Sequence, residues 1–223
     1  MEAFNRLGST LGQTTCYWPL LQDNQLDTAE GAALRGLALL PRKGHESLLC
    51  KSHHILGNIY HRKGEKENAF NHFESAMTIA SPFNWHNELY WAHYAMAALF
   101  SDEDDFNDAN AHIEAAKSHT GDGVYKLGRV MGIQAVIWYR QSRPEDAKSK
   151  GLLALKIYEG LRSAKDVEGC RRLLRRIESD GKPGPRRFEF PVSFLTRVLL
   201  SIPADSVPFC VAYSILRSIK PCN

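Results

Sequence analysis

Apolar residues recur every three or four positions along much of the chain, which predicts amphipathic helices. One such helix covers positions 27 to 40, and its apolar face carries Ala29, Ala33, Leu37 and Leu40. The first of these alanines starts a longer pattern. Alanines recur after 40, 40 and 38 residues, at Ala29, Ala69, Ala109 and Ala147. This regular period predicts an all-α array of helical repeats.

The most complete repeat places small and large residues where two helices would meet. Gly57 and Ala69 would let the helix backbones approach each other, while Tyr60 and Phe73 would fill the space beside them. Gly64 lies between the two helices, and glycine readily closes a helix in the left-handed conformation. The sequence therefore predicts two helices joined by a tight turn.

These positions resemble the signature of the tetratricopeptide repeat (TPR) superfamily. With Cys50 as position 1, positions 7, 8, 11, 20, 24 and 27 hold Leu56, Gly57, Tyr60, Ala69, Phe73 and Ala76. The resemblance implies a right-handed α-solenoid of antiparallel helix pairs. The period exceeds the usual length of about 34 residues. In this respect the chain is loosely similar to the sensor arrays of signal-transduction NTPases, including fungal ones, although it contains no G-x-x-x-x-G-K-[ST] phosphate loop.

We predict a repeat domain over 1–180 and a different segment over 181–223. The domain comprises a degenerate repeat at 10–43, repeats at 50–83, 90–123 and 128–161, and a capping helix at 163–179. The degenerate repeat is either a terminal cap or part of a longer array. After a Gly/Pro linker, two apolar runs of about 10 residues are too short for a membrane span of roughly 17–25 residues. This tail is docked on the array, anchored at an interface or disordered; we favour weak docking or disorder.

Local signals predict how individual helices begin. The acidic loop 101–105 should cap the helix that follows it, because negative charge is favoured there. Ser142 and Glu145 have the spacing of a capping box, with Ser142 as the cap. The first helix of the repeat at 90–123 is expected to begin early, near Phe83. Gly151 occupies a position where the repeat pattern expects an aromatic residue.

Composition narrows the class of protein. With 43% hydrophobic and 24% charged residues, the chain is typical of a soluble globular protein, and a net charge of +3 does not favour nucleic acid as a partner. The five cysteines are odd in number and contain no C-x-x-C pair, which fits a reducing compartment. The N-terminus does not resemble a secretory signal. We expect a cytoplasmic monomer without a transmembrane span.

No pattern in the sequence indicates catalysis or a metal site. Nine histidines are present, but the pairs seven residues apart, such as His54 and His61, do not have the H-E-x-x-H spacing of a zinc site. We expect these histidines on helix surfaces. The sequence also lacks the G-x-S-x-G elbow of a serine nucleophile. We therefore expect a non-catalytic protein without a cofactor.

The TPR resemblance implies a concave groove lined by the first helix of each repeat. Its predicted partner-binding residues are Lys51, His54, Asn58, His61, Trp91, Tyr94, Arg129, Val136 and Tyr139. An extended or helical peptide with acidic and apolar groups would suit this surface. Alternatively, Trp91 and Tyr94 pack between repeats. The carboxylate clamp of co-chaperone members is matched by Asn58, and approximately by Arg129, but Ala95 and Ile133 are apolar, so we expect no working clamp.

The predicted capping helix carries a basic patch of Arg171, Arg172, Arg175 and Arg176. Such a run is usually a solvated helix face. It also allows a second function, the binding of an acidic surface or of nucleic acid. A third alternative is a regulatory or remnant sensor module of a signalling NTPase. The leading prediction remains a protein-interaction scaffold that binds a partner segment in its groove.

Overall fold

The computed structural model describes residues 26–40 and 44–180, and no β-strand occurs in these two ranges. The α-helices are α1 Leu26–Leu39, α2 Glu46–Lys63, α3 Lys66–Ala80, α4 His86–Asp102, α5 Phe106–Ser118, α6 Val124–Arg140, α7 Pro144–Gly160 and α8 Ala164–Asp180. The chain is thus all-α over these ranges, as predicted. The first half of the degenerate repeat and the predicted linker and tail lie outside the described residues.

Helices that follow each other in the chain pack together. The closest packing joins α2 to α3, α4 to α5 and α6 to α7, and α2, α4, α6 and α8 also contact one another in succession. The four alanines of the sequence period are fully buried: Ala29, Ala69, Ala109 and Ala147. Gly57 is needed at the α2–α3 contact, because a Cβ atom there would lie 2.5 Å from Cε1 of Phe73. These observations confirm the predicted close approach.

The turns confirm two predictions and correct two others. Gly64 ends α2 in the left-handed conformation, at φ 81°. Asp105 caps α5, since its Oδ1 accepts a hydrogen bond from the Asp108 backbone N–H at 3.2 Å. The predicted Ser142 cap is wrong: Pro144 takes the first helical position of α7, so the capping residue is Arg143, which makes no side-chain cap hydrogen bond. The other correction concerns the start of α4.

Helix α4 begins at His86 and not near Phe83. The intervening residues Ser81–Phe83 form a separate 3₁₀ turn. Asn84 ends this turn in the left-handed conformation, at φ 49°, which an α-helix cannot continue through. The early start expected from the sequence is therefore a short turn of different geometry.

Helix α8 packs on α7 and α6, with Cys170, Leu173, Leu174 and Ile177 buried. Gly151 explains how α8 comes so close to α7. A Cβ atom at Gly151 would lie 2.9 Å from Cδ2 of Leu174. The missing aromatic residue therefore leaves the space that Leu174 fills. Within the described ranges, none of the helices combines the length and the apolar character that crossing a membrane requires.

Candidate functional site

Three of the predicted groove residues form a buried stack between α4 and α6. The guanidinium carbon of Arg129 lies 4.5 Å from the ring centroid of Trp91 and 4.5 Å from that of Tyr94. A cation over an aromatic face is attracted by the ring electrons, and burial strengthens this interaction. Arg129 is only 1% exposed. The structure thus brings these three residues together but buries the guanidinium charge away from solvent.

A buried carboxylate lies close to the tyrosines around Arg129. Asp166 of α8 is 8% exposed and accepts a hydrogen bond from the Ser163 hydroxyl. Tyr125 makes polar contacts with both Asp166 and Arg129, and the Tyr158 ring packs edge-on against Tyr125 with 5.7 Å between centroids. A buried charge is costly unless an opposite charge or hydrogen bonds compensate it. Helix α8 therefore contributes to the electrostatic balance of this cluster.

His54 of α2 is a neutral buried side chain beside the cluster. Burial, and then the charge of Arg129, lower the pKa of His54 to about 4. Its ring packs against Phe73 with 5.7 Å between centroids. Neither ring nitrogen has a hydrogen-bond partner among the described residues. At neutral pH the imidazole therefore offers a buried donor and acceptor that the described part of the chain does not use.

The accessible part of the predicted groove lies on α2. Lys51, Asn58 and His61 are each partly exposed. The Asn58 side-chain amide donates to the His54 carbonyl oxygen at 2.8 Å, which holds it against its own helix. The His61 Nε2 lies 2.9 Å from Oδ2 of Asp102 on α4. Two of these three side chains are thus held in place by neighbours.

The remaining two predicted groove residues lie under α8. Val136 and Tyr139 belong to one buried apolar cluster with Leu173 and Ile177 of α8. In this conformation they are core residues. Six of the nine predicted residues are accordingly buried, namely His54, Trp91, Tyr94, Arg129, Val136 and Tyr139. For Trp91 and Tyr94 this burial favours the alternative that they pack between repeats.

Two of the four arginines in the basic patch of α8 form surface ion pairs. Arg171 pairs with Glu159 at 2.9 Å and Arg175 with Glu168 at 2.6 Å. The guanidinium carbon of Arg176 lies 6.0 Å from the ring centroid of Tyr139. Arg172 is exposed. Pairing with carboxylates reduces the positive potential that an acidic surface or nucleic acid would experience.

Two observations on the described residues concern metal binding and nucleophilic catalysis. No group of three or more histidine, cysteine or carboxylate side chains with metal-binding geometry occurs in 26–40 or 44–180. Burial raises the pKa of the Cys50 thiol and of the Cys170 thiol to about 12 in each case. Both thiols are therefore protonated at neutral pH, whereas the thiolate is the reactive form.

The structure contains a set of paired histidines that no sequence pattern had predicted. His53 and His72 meet across α2 and α3, and His93 and His112 meet across α4 and α5. A signal was present, because His93 and His112 follow His53 and His72 by the same 40 residues that separate the repeat alanines. Scanning for residues seven apart on one helix could not reveal contacts between two helices.

Comparison with known proteins supports the fold only. No protein-family model matches the sequence, and a search of the curated proteins found no match. Among solved structures the chain is similar to BtubC (BKLC) from P. vanneervenii, with a TM-score of 0.54 and 18% sequence identity. The alignment covers 77% of this chain and 81% of that chain. At this level of identity the likeness concerns the helical architecture and not the function.

Proposed function

We propose that residues 26–180 form a TPR-like right-handed solenoid of antiparallel helix pairs, which serves as a non-catalytic scaffold for a protein or peptide partner. One observation carries the proposal: the first helices of successive repeats, α2, α4 and α6, contact one another in a row. Their predicted groove residues meet across these contacts, as Arg129 does with Trp91 and Tyr94. A row of helices held in this way is a rigid surface for an extended partner.

The partner would contact the polar edge of this surface on α2. Lys51 supplies a partly exposed positive charge, and Asn58 and His61 supply hydrogen-bonding groups. The buried stack behind them would hold the helix spacing rather than touch the partner. An acidic segment that lies along α2 fits these residues, because its carboxylates would pair with Lys51 and accept hydrogen bonds from its neighbours.

The experiment is affinity capture from lysate with the wild type and the variant Lys51→Glu/Asn58→Ala. The matched control is Lys156→Glu/Asn71→Ala, which makes the same changes at exposed positions on α7 and α3. We expect a captured protein to be lost with the first variant and retained with the control. A partner retained by both variants would contradict the assignment to α2. Loss from the wild type at high salt would indicate instead that charge alone holds the partner.

A further inference from the structure

Histidine pairs join two successive pairs of helices through the same atoms. Nδ1 of His53 on α2 lies 3.0 Å from Nδ1 of His72 on α3. Nδ1 of His93 on α4 lies 3.0 Å from Nδ1 of His112 on α5. The ring planes make similar angles, 41° in the first pair and 39° in the second. The same histidine–histidine contact thus occurs at equivalent positions in two successive helix pairs.

Each pair is completed by an aromatic ring at an equivalent position. His72 stacks on Tyr60 with 5.3 Å between centroids, and His112 stacks on Phe100 at the same distance. Tyr60 and Phe100 are also 40 residues apart. The stacking holds the second histidine of each pair in position. It therefore keeps the Nδ1 atoms of the two rings facing each other.

A third pair extends the second one towards the end of α5. Nδ1 of His86 lies 3.0 Å from Nδ1 of His119, and the His119 ring stacks on His93 with 5.9 Å between centroids. The seam between α4 and α5 therefore carries four histidines. Charges face this seam from α5 and α6, since Asp108 is close to His112, and Lys126 to His119.

A contact between two Nδ1 atoms is a hydrogen bond only when one ring donates and the other accepts. Two protonated rings would both donate, and their like charges would repel. We infer that the histidine pairs are proton-sensitive latches, which hold α2 to α3 and α4 to α5 at neutral pH and release them as both rings of a pair become protonated. Acidification below about pH 6.5 would therefore weaken both contacts progressively.

The direction of the pKa shifts agrees with this inference. Burial lowers the pKa of His53, His72 and His112, and burial with the neighbouring His112 and His119 lowers that of His93 to about 4. Asp108 opposes the shift at His112, whereas Lys126 and His86 lower the pKa of His119 further. The unfolded chain takes up these protons near pH 6.5, so the stability that the neutral rings provide is complete above that pH and is lost below it.

The first experiment follows urea unfolding of the full chain between about pH 7.5 and about pH 5. It compares the wild type, His72→Phe/His112→Phe, and the control His45→Phe, whose histidine is outside the pairs. Phenylalanine can keep the stacking on Tyr60 and Phe100 but cannot take up a proton. On acidification we expect the urea midpoint to fall by the same amount in the wild type and the control, and by less in the double variant. His54 and the remaining buried histidines still respond to acid in that variant, so its midpoint also falls. Equal losses in all three would overturn the inference.

A second measurement needs no substitution and guards against a variant that does not fold. Long-range ¹H–¹⁵N spectra distinguish a ring protonated on Nδ1 from one protonated on Nε2. At about pH 7.5 we expect one ring in each pair to carry its hydrogen on Nδ1 and its partner to carry it on Nε2. Spectra in which every ring of the three pairs is the Nε2–H tautomer would rule the latches out.

Discussion

Asp102 of α4 accepts a hydrogen bond from Arg140 of α6, with 2.9 Å between Oδ1 and Nη1. Its other oxygen, Oδ2, lies 2.9 Å from Nε2 of His61 on α2. One carboxylate therefore connects three helices that are consecutive in the row. Both Asp102 and Arg140 are mostly shielded, with 24% and 18% of the side chain exposed. Shielding makes this pair stronger than an ordinary surface ion pair.

Asp102→Asn should therefore lower the free energy of unfolding by about 1 to 2 kcal/mol, because the amide keeps the shape of the side chain and loses its charge. The control is Asp104→Asn. Asp104 also pairs with Arg140, at 2.9 Å, but 69% of its side chain is exposed, so its loss should cost less than about 0.5 kcal/mol. Urea unfolding at neutral pH measures both changes. Equal effects would show that shielding does not strengthen the Asp102 pair.

Gly57→Ala should destabilise the protein, because its new methyl group would meet the Phe73 ring at 2.5 Å. Overpacking of this kind costs roughly 1 to 3 kcal/mol. Gly132→Ala is the matched control: Gly132 is also within a helix, but no described atom beyond its own helix lies within 4 Å of the added Cβ. That variant should be neutral or more stable by up to about 1 kcal/mol. Thermal unfolding distinguishes the two, and similar melting temperatures would contradict the prediction.

Arg129→Met should lower the free energy of unfolding by about 2 kcal/mol, because it removes the stacking on Trp91 and Tyr94 and the polar contact with Tyr125. If the two charges balance each other, Arg129→Met/Asp166→Asn should cost less than the sum of the single changes. A double-mutant cycle by urea unfolding measures this difference. Strict additivity would show that the two charges do not interact. Arg171→Met removes an exposed arginine and should have little effect.

His54→Leu should make the protein less sensitive to acid. The pKa of His54 is about 4 in the folded protein, because burial and then Arg129 disfavour its charged form, whereas the unfolded chain has a value near 6.5. The neutral ring is favoured above pH 6.5, and stability is lost as the pH falls from 6.5 towards 4, by roughly 3 kcal/mol at most. Unfolding measured at several pH values should show a shallower decline in the leucine variant. A parallel decline would show that folding does not lower the pKa of His54.

The sequence predicted features that depend on neighbouring residues or on a repeat period. Gly64 and Asp105 act where they were expected, since a left-handed glycine and an acidic helix cap require only local geometry. The repeat alanines are buried because each lies where two helices come close. Ser142 fails as a cap for an equally local reason, because Pro144 fixes where α7 begins.

The surroundings of Arg129 could not be predicted in the same way. Arginine is rarely fully buried, so its place in the repeat pattern suggested a residue facing a partner. Its burial depends on aromatic residues from α4, α6 and α7. Such a set assembles only when three helices pack together. The histidine pairs were missed for the same reason, since each contact joins two different helices.

Gly151 also has a consequence for where α8 can dock. By the repeat period, the corresponding positions of the two preceding helix pairs hold Phe73 and Ile113, which are fully buried. At position 151, a side chain of that size would take the space that Leu174 now occupies. The absence of one side chain therefore sets how closely α8 can approach α7. A large residue at position 151 would force Leu174, and α8 with it, away from α7.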